Sequence, residues 1–136
     1  MIIRILGSEE TQAREIAEKV INAIADSNYE LVEEIVDHMG EFDWTVADLE
    51  EFAENFKEDN ELGYFDRYDV PCDFNVIYKD GSHFEQEQIY TLNDGSGFRY
   101  EYSLTTDGNL NDLTLMLHFA YKGDCIEVSF YDIHVL

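Results

Sequence analysis

Apolar residues recur with helical spacing in the first part of the chain. Between Glu9 and Asp26 they fall at i, i+3, i+4, i+7, i+8 and i+11, which puts them on one face of a 3.6-residue helix. The residues of this face are Ala13, Ile16, Ala17, Val20, Ile21 and Ile24. Ser8 stands directly before the run, where a hydroxyl can cap the first backbone amides. The pattern predicts a first helix that is buried along one side.

A second, shorter helix is predicted directly after the first. Ser27 and Glu30 have the spacing of a capping box, in which each side chain accepts a hydrogen bond from the other residue's backbone amide. The apolar residues that follow are Leu31, Val32, Ile35, Val36 and Met39. Gly40 is a suitable C-terminal residue, so we expect a helix of about ten residues.

A third helix is predicted to begin after Thr45. Thr45 and Asp48 again have capping-box spacing, and the apolar stripe that follows is predicted to end near Asp59. Its solvent face carries four carboxylates, which belong to Glu50, Glu51, Glu54 and Glu58. The helical part of the chain is therefore expected to span about residues 8–59.

Beyond about residue 72, apolar and polar residues alternate with the period of two that is typical of strands with one buried face. The predicted strand segments are Asp73–Tyr78, Phe84–Leu92, Phe98–Leu104, Leu113–Tyr121 and Cys125–Leu136. The turns between them include Asp80-Gly81 and Asp94-Gly95, which are strong hairpin signals. The apolar residues change parity within the last segment, which predicts a β-bulge near Tyr131–Asp132.

Together these elements predict an α+β fold, with three N-terminal helices packed on a curved antiparallel sheet of four to five strands. The 136 residues are sufficient for one hydrophobic core, and no repeat or linker divides them. We therefore predict a single domain over residues 1–136, with the helical layer at about 8–59 and the sheet at about 72–136.

Charge is the strongest signal in the composition. The chain has 31 acidic and 8 basic residues, a formal net charge of −23. Free nucleic acid and anionic membranes would repel such a surface, so neither is an expected partner. Nine tyrosines, nine phenylalanines and one tryptophan argue against a disordered acidic tail. The opening apolar run is too short for a signal peptide, and we expect a soluble cytoplasmic protein.

The order of elements resembles the cystatin-like or NTF2-like fold, in which a bent sheet wraps a helical layer to form a cone. The endings Asn111–Leu115 and Tyr131–Leu136 resemble those of a family of small bacterial proteins. Acidic proteins with this outline include immunity proteins of polymorphic or contact-dependent growth inhibition systems. The resemblance implies a toxin as the partner, and it implies no catalytic residue.

Catalytic and metal-binding patterns are weak. An NTF2-like enzyme could use an ionisable side chain inside the cone, and the candidates are Tyr100, Tyr102, His118 and Tyr131. No spacing singles out a dyad among them, and the alternative is that the tyrosines are core and sheet-surface residues. The histidines are scattered at positions 38, 83, 118 and 134, and Cys72 and Cys125 match no zinc spacing. We predict no catalytic residue, no metal and no cofactor, with both cysteines as buried free thiols.

Acidic and aromatic side chains are densest around the end of the helical half. This candidate partner-binding surface consists of Glu41, Asp43, Trp44, Asp59, Glu61, Tyr64, Asp66, Tyr68 and Asp69. Carboxylates steer a basic partner, and Tyr or Trp can serve as buried anchors. The alternative is that the aromatic rings fill the core and the carboxylates are ordinary surface charge.

The leading hypothesis is an acidic immunity-type protein that neutralises a basic toxin domain, with a nuclease as the expected class, by protein–protein association. One alternative is an NTF2-like small-ligand-binding protein or an isomerase- or dehydratase-like enzyme, which would need a deep open cavity. A further alternative is a DNA mimic that occupies a DNA-binding protein. A homodimer formed through the sheet is left open.

Overall fold

A computed structural model describes residues 1–40, 43–68 and 86–135 of the chain. Within them the elements follow in the order β1 (Ile2–Ile3), α1 (Glu9–Ala25), α2 (Tyr29–Ile35), α3 (Val46–Asp59), β2 (Glu87–Thr91), β3 (Gly97–Thr106), β4 (Asn109–Lys122) and β5 (Cys125–Val135). The strands form one antiparallel sheet in the order β1-β5-β4-β3-β2. The predicted α+β fold is confirmed, with three helices and a curled five-stranded sheet.

Helix α1 matches its predicted stripe. Every apolar residue of that stripe is buried, and the acidic residues Glu9 and Glu10 occupy the first turn, where they are favourable to the helix dipole. Ser8 is the N-cap residue, but its side chain makes no capping hydrogen bond. No helix in the described part of the chain is both long and apolar enough to cross a membrane.

Helix α2 is shorter than predicted and begins differently. It has seven residues with Asn28 as N-cap, and Ser27 takes a left-handed φ of 55° before the helix instead of capping it. The backbone turns to extended geometry at Val36, and the amides of Asp37 and His38 donate to the Val128 carbonyl of β5 at 2.7 and 3.3 Å. Pairing with the sheet therefore ends the helix before Gly40, which corrects the prediction of about ten residues.

Helix α3 begins and ends as predicted. The Asp48 amide donates to the Thr45 hydroxyl oxygen and the Thr45 amide donates to the Asp48 carboxylate, both at 3.1 Å. The capping box is therefore complete, and such a cap contributes about 1 kcal/mol. The helix buries Leu49 and Ala53 fully against the rest of the core.

The sheet has one strand that the sequence pattern did not predict, at the N-terminal edge. In β1, Ile2 pairs with Ile126 and Ile3 pairs with Cys125. Two residues are too few to show a period of two. The predicted strand Asp73–Tyr78, the turn Asp80-Gly81 and the start of the predicted strand Phe84–Leu92 lie outside the described residues.

The predicted bulge in β5 is confirmed. Met116 pairs with Asp132 and Leu117 pairs with Phe130, so Tyr131 is the extra residue. This insertion returns Ile133 to the buried face of the sheet, where it is 1% exposed. A second irregularity lies near the β3–β4 turn. Ser103 pairs with Thr114 but Thr105 pairs with Leu110, so two residues along β3 correspond to four along β4.

The concave face of the sheet is filled by large side chains that pack against the helices in one hydrophobic cluster. Tyr100, Phe119 and Phe130 are each fully buried, and the rings of Phe98 and Phe119 stack with centroids 4.8 Å apart. Each such buried side chain contributes roughly 1.5–3 kcal/mol. Cys125 is half-buried with a free thiol rather than fully buried as predicted, and Cys72 lies outside the described residues.

Candidate functional site

The outer side of α2 and α3 is a dense array of carboxylates, which we call the acidic helical face. It consists of Glu30, Glu33 and Glu34 on α2 and Asp48, Glu50, Glu51, Glu54, Glu58 and Asp59 on α3, all exposed. Lys57 is the one basic residue in these two helices. Its side chain is buried, with the ammonium 3.1 Å from Glu54 and 5.5 Å from the Phe65 ring centroid. The face is therefore almost uncompensated negative charge.

Arginine side chains leave this charge unneutralised, because the four arginines all have partners within the fold. Two form ion pairs of 2.6 Å and two lie over aromatic rings at 3.6 and 4.4 Å. The partners are Glu87 for Arg14, Asp26 for Arg67, Tyr121 for Arg4 and Tyr131 for Arg99. A basic partner would meet the carboxylates without first displacing these cations.

At the end of α3 the acidic helical face continues into an open groove of about 480 Å³. The groove runs between the loop after α3 and the β3–β4 turn. Its lining is Asn60, Glu61, Leu62, Gly63, Tyr64, Thr106, Asp107, Asn109, Leu110, Asn111 and Asp112. We call it the acidic groove, because three of its residues are carboxylates and none is basic.

Hydrogen bonds to Asp66 link the two walls of the acidic groove. Its carboxylate accepts hydrogen bonds from the Thr105 hydroxyl and the Gly108 amide, each at 2.8 Å, and from the Asp107 amide at 3.2 Å. The Tyr64 hydroxyl also hydrogen bonds to the Asp107 carboxylate, and the Thr106 hydroxyl donates to the Tyr64 carbonyl. These bonds give the groove a fixed width.

The three carboxylate residues of the acidic groove share an unusual backbone conformation. Glu61, Asp107 and Asp112 have φ values of 56°, 55° and 64°, in the left-handed region that costs most residues about 1 kcal/mol or more. Glu61 follows the end of α3, Asp107 opens the two-residue hairpin turn with Gly108, and Asp112 lies in the irregular part of β4. The left-handed backbone of each residue is therefore part of a turn or of the irregular stretch of β4.

The structure divides the seven predicted partner-binding residues that it describes into two groups. Asp43, Asp59 and Glu61 are exposed, and Tyr64 is 46% exposed at the groove, so these four remain available to a partner. Glu41 and Asp69 lie outside the described residues.

The other members of the predicted surface have roles within the fold. Trp44 packs edge-on against Phe52 and Phe130, with ring centroids 5.9 and 5.6 Å apart. Tyr68 is half-buried, and its hydroxyl donates a hydrogen bond to the Glu87 carboxylate at 2.6 Å. The Asp66 carboxylate accepts the hydrogen bonds that link the two walls of the acidic groove. The sequence pattern grouped these three with the exposed residues because it cannot distinguish an inward ring or a bonded carboxylate from a solvent-facing one.

One cluster of polar side chains was missed by the sequence analysis. Glu87 accepts hydrogen bonds from the hydroxyls of Tyr68 and Tyr100 and from the Arg14 guanidinium, all at 2.6 Å. We call this arrangement the Glu87 cluster. It ties α1 and the loop after α3 to strands β2 and β3. A signal was present, because Glu87 has the same strand parity as Ile89, which faces the core.

The Glu87 cluster is fixed in one protonation state near neutral pH. Burial alone would raise the pKa of Glu87, but the hydrogen bonds from Tyr100, Tyr68 and Arg14 lower it below its usual value. Burial, and then the hydrogen bond to Glu87, raise the pKa of Tyr100 far above its usual value. A carboxylate held charged and a phenol held neutral are poorly suited to exchange a proton with a ligand.

The candidate catalytic side chains do not converge. Tyr100 and Tyr102 face the filled interior, whereas His118 lies on the opposite face of the sheet, with its ring 6.3 Å from that of Tyr131. Among the described residues no group of three His, Cys, Asp or Glu side chains could hold a metal ion. His83 lies outside those residues.

Residues 6–136 match a protein family described as a domain of unknown function, DUF7668. The chain belongs to the DUF7668 family. No curated protein and no solved structure matches it. The DUF7668 match begins within the segment between β1 and α1 and covers both acidic surfaces described above.

Proposed function

We propose that this DUF7668 protein is an acidic binding protein of the immunity type, which neutralises a basic toxin domain by protein–protein association. The expected class of toxin is a nuclease, because a nuclease must carry basic residues to hold the phosphates of its substrate. The proposal rests chiefly on the acidic helical face, whose nine carboxylates are exposed beside one buried lysine.

The charge distribution favours fast recognition of such a partner. A concentrated patch of one sign steers an oppositely charged protein and can raise the association rate constant to about 10⁸ M⁻¹ s⁻¹ or more at low salt. Screening weakens this steering within about 10 Å at 0.1 M ionic strength. The association rate is therefore expected to fall steeply as salt is added.

The acidic groove would supply specificity beside the acidic helical face. Tyr64 is its exposed aromatic ring, and tyrosine is enriched among the residues that contribute most to binding. Glu61, Asp107 and Asp112 surround it with charge. A cationic side chain of the partner that enters here would be stabilised by these carboxylates and by the Tyr64 ring.

The packing of the interior weighs against the enzymatic alternative. A ligand-binding NTF2-like protein needs an open cavity, but the side chains on the concave face of β3, β4 and β5 are fully or almost fully buried against the helices. The DNA-mimic alternative draws on the same acidic helical face, since it also requires rows of carboxylates and a basic partner. The identity of the partner distinguishes it from immunity.

The test is co-expression with the product of the neighbouring gene, followed by a pull-down at low and moderate salt and a growth assay. A stable complex with a basic domain whose toxicity this chain suppresses would support the proposal. Capture of a DNA-binding protein that is not toxic would favour the DNA mimic. Absence of any protein partner at both salt concentrations would overturn the proposal.

A matched pair of variants assigns the surface. Glu50→Lys with Glu58→Lys changes the acidic helical face, and Glu15→Lys with Glu18→Lys makes the same change in net charge on exposed positions of α1. Only the first pair should slow association markedly at low salt. Equal slowing by both pairs would mean that overall charge, and not the acidic helical face, directs binding.

A further inference from the structure

Arg99 on strand β3 differs from the other arginines of this very acidic chain. The guanidinium groups of Arg4, Arg14 and Arg67 lie 3.8, 2.6 and 2.6 Å from a carboxylate oxygen. Among the described residues no carboxylate forms an ion pair with Arg99, although the chain has 31 acidic residues. The positive charge of Arg99 is therefore not neutralised by a carboxylate of the described chain.

The surroundings of Arg99 fix the orientation of its guanidinium. The central carbon lies over the Tyr131 ring, 4.4 Å from the ring centroid, which is a cation–π contact. The Nε atom is enclosed and has no hydrogen-bond acceptor. The two terminal amino groups are not enclosed, and no acceptor for them lies in the described part of the chain. The end of the guanidinium that carries these two groups is therefore open to a ligand.

The β-bulge of β5 places Tyr131 beside Arg99. Phe130 and Ile133 both face the core, so the two residues between them lie on the convex face, which is the side of the sheet away from the helices. From there the Tyr131 ring reaches Arg99 on β3, two strands away. The same irregularity that returns Ile133 to the core therefore also supports the guanidinium.

The neighbours of Arg99 on the convex face are small on one side. Gly97 lies two residues earlier on β3, and Ala120 pairs with Gly97 from β4. His118 pairs directly with Arg99, and its ring centroid is 6.3 Å from that of Tyr131. Because Gly97 and Ala120 carry almost no side chain, they leave a shallow space next to the guanidinium.

The convex face also carries acidic side chains, which restrict the charge of a ligand. They belong to Glu101, Glu127 and Asp132. Glu127 lies 3.2 Å from the His38 ring nitrogen, and Asp132 lies 3.5 Å from the His134 ring nitrogen. Together with the formal charge of −23, these carboxylates disfavour a phosphate dianion more than a group with one negative charge.

We propose that Arg99, supported by the Tyr131 ring, is a binding site for a carboxylate group. The two terminal amino groups of a guanidinium can donate parallel hydrogen bonds to the two oxygens of a carboxylate. A small organic acid and an Asp or Glu side chain of another protein both offer this group. The site lies on the convex face, apart from the acidic helical face, and it does not depend on the proposed function.

The central experiment is a titration of the labelled protein with sodium acetate, followed by NMR at neutral pH. It records the side-chain N–H signal of Arg99 and the backbone amide signals of Gly97 and His118. We expect a saturable shift with a dissociation constant on the order of 10 mM, because one ion pair at a half-buried site is weak. Sodium chloride at the same ionic strength is the reference, and equal shifts in both salts would overturn the proposal.

Two substitutions of arginine test the assignment to Arg99. Arg99→Lys keeps the positive charge but lacks the planar pair of donors, so acetate should bind about tenfold more weakly. Arg67→Gln removes an exposed arginine that is paired with Asp26, and acetate binding should be unchanged. Thermal unfolding would verify that both variants are folded, and the wild-type titration does not depend on them. Acetate binding by folded Arg99→Lys with wild-type affinity would overturn the proposal.

Tyr131→Leu tests the positioning role of the aromatic ring. This variant retains Arg99 but removes the surface on which its guanidinium lies, so acetate should bind several-fold more weakly. The Arg99 side-chain signal should also move in the absence of acetate, because the ring current is lost. Unchanged acetate binding in this variant would contradict the role given to Tyr131.

Two further titrations identify the class and the source of the ligand. Inorganic phosphate at the same ionic strength should bind more weakly than acetate, and tighter binding of phosphate would overturn the assignment to a carboxylate. The acetate titration is then repeated on the complex with the domain encoded beside this chain. Loss of the acetate response in the complex would support a carboxylate supplied by the partner protein, whereas a retained response would support a small organic acid.

Discussion

Glu87 and the carboxylates of the acidic helical face have the same charge in opposite surroundings. Glu87 is half-buried and receives three hydrogen bonds, two from phenols and one from a guanidinium. The glutamates on the outer side of α2 and α3 are exposed, with one buried lysine among them. The first charge is used within the fold. The second set is available to another molecule, apart from Glu54, which is bonded to Tyr29 and Lys57, and Asp48, which caps α3.

The difference separates folding from recognition within one very acidic chain. A charge that is bonded internally stabilises the native state and contributes little to a partner. Exposed like charges repel one another and slightly destabilise the compact state, so their presence requires a reason outside folding. Substitutions at the two locations should therefore have opposite effects on stability and on binding.

The largest expected effect on stability comes from Glu87→Gln. The substitution keeps the shape of the side chain but replaces three charge-assisted hydrogen bonds with weaker ones, which should cost about 2–3 kcal/mol. Urea unfolding at neutral pH would measure the loss. Glu101→Gln, on the other face of the sheet, is the control and should cost less than about 0.5 kcal/mol. If the two variants lost the same free energy of unfolding, the hydrogen bonds of the Glu87 cluster would contribute no more to stability than an ordinary surface carboxylate.

The pH dependence of that loss is the second prediction. Because the folded-state pKa of Glu87 is lowered, its contribution is complete above the unfolded carboxyl pKa of about 4.3 and disappears as pH falls through the folded pKa. The stability difference between wild type and Glu87→Gln should therefore shrink on acidification below about pH 4. Relief of repulsion among the exposed carboxylates is common to both proteins and cancels. A difference that stays constant down to pH 2 would contradict the prediction.

A smaller effect is expected from Glu50→Lys with Glu58→Lys, and it has the opposite sign for folding. Stability should be unchanged or rise by a few tenths of a kcal/mol, because like-charge repulsion on α3 decreases. Association with the basic partner should slow by about tenfold at low salt. The difference in association rate between the wild type and the variant should become smaller as salt is added. Stopped-flow association across a salt series would measure both quantities.

The smallest effect on binding is expected from substitutions of Thr45, whose backbone amide donates to the exposed carboxylate of Asp48. Removing the reciprocal partner by Thr45→Ala should cost about 1 kcal/mol, whereas Thr45→Ser should preserve the cap and cost much less. Thermal unfolding would rank the variants. Binding should be unaffected by either substitution, because both leave the Asp48 carboxylate on the surface.

Periodicity predicted the helices and strands wherever a long segment had one buried face. The bulge at Tyr131 could be predicted because the buried residues on its two sides differ in parity. The early end of α2 could not, since it results from backbone pairing of Asp37 and His38 with a strand about ninety residues later. Strand β1 is too short to produce a pattern.

The candidate site was predicted less completely than the fold. Exposed Tyr64 and Glu61 could be inferred from their turn-like segment, but the inward packing of Trp44 depends on Phe130 in the last strand. The Glu87 cluster draws on four separate segments of the chain. The parity of Glu87 with Ile89 indicates only that its side chain faces inward, and its partners are set by tertiary packing.

Gln12 has a consequence for the protein at high concentration. An uncovered sheet edge recruits strands from neighbouring molecules and is a common start of fibril growth. At β1 the Gln12 side chain donates to the Ile3 carbonyl and accepts from the Ile5 amide, so it fills two of the backbone positions that an incoming strand would use. A single carboxamide therefore makes strand addition less favourable at an edge that carries exposed isoleucines, and its removal should make the protein more prone to aggregate.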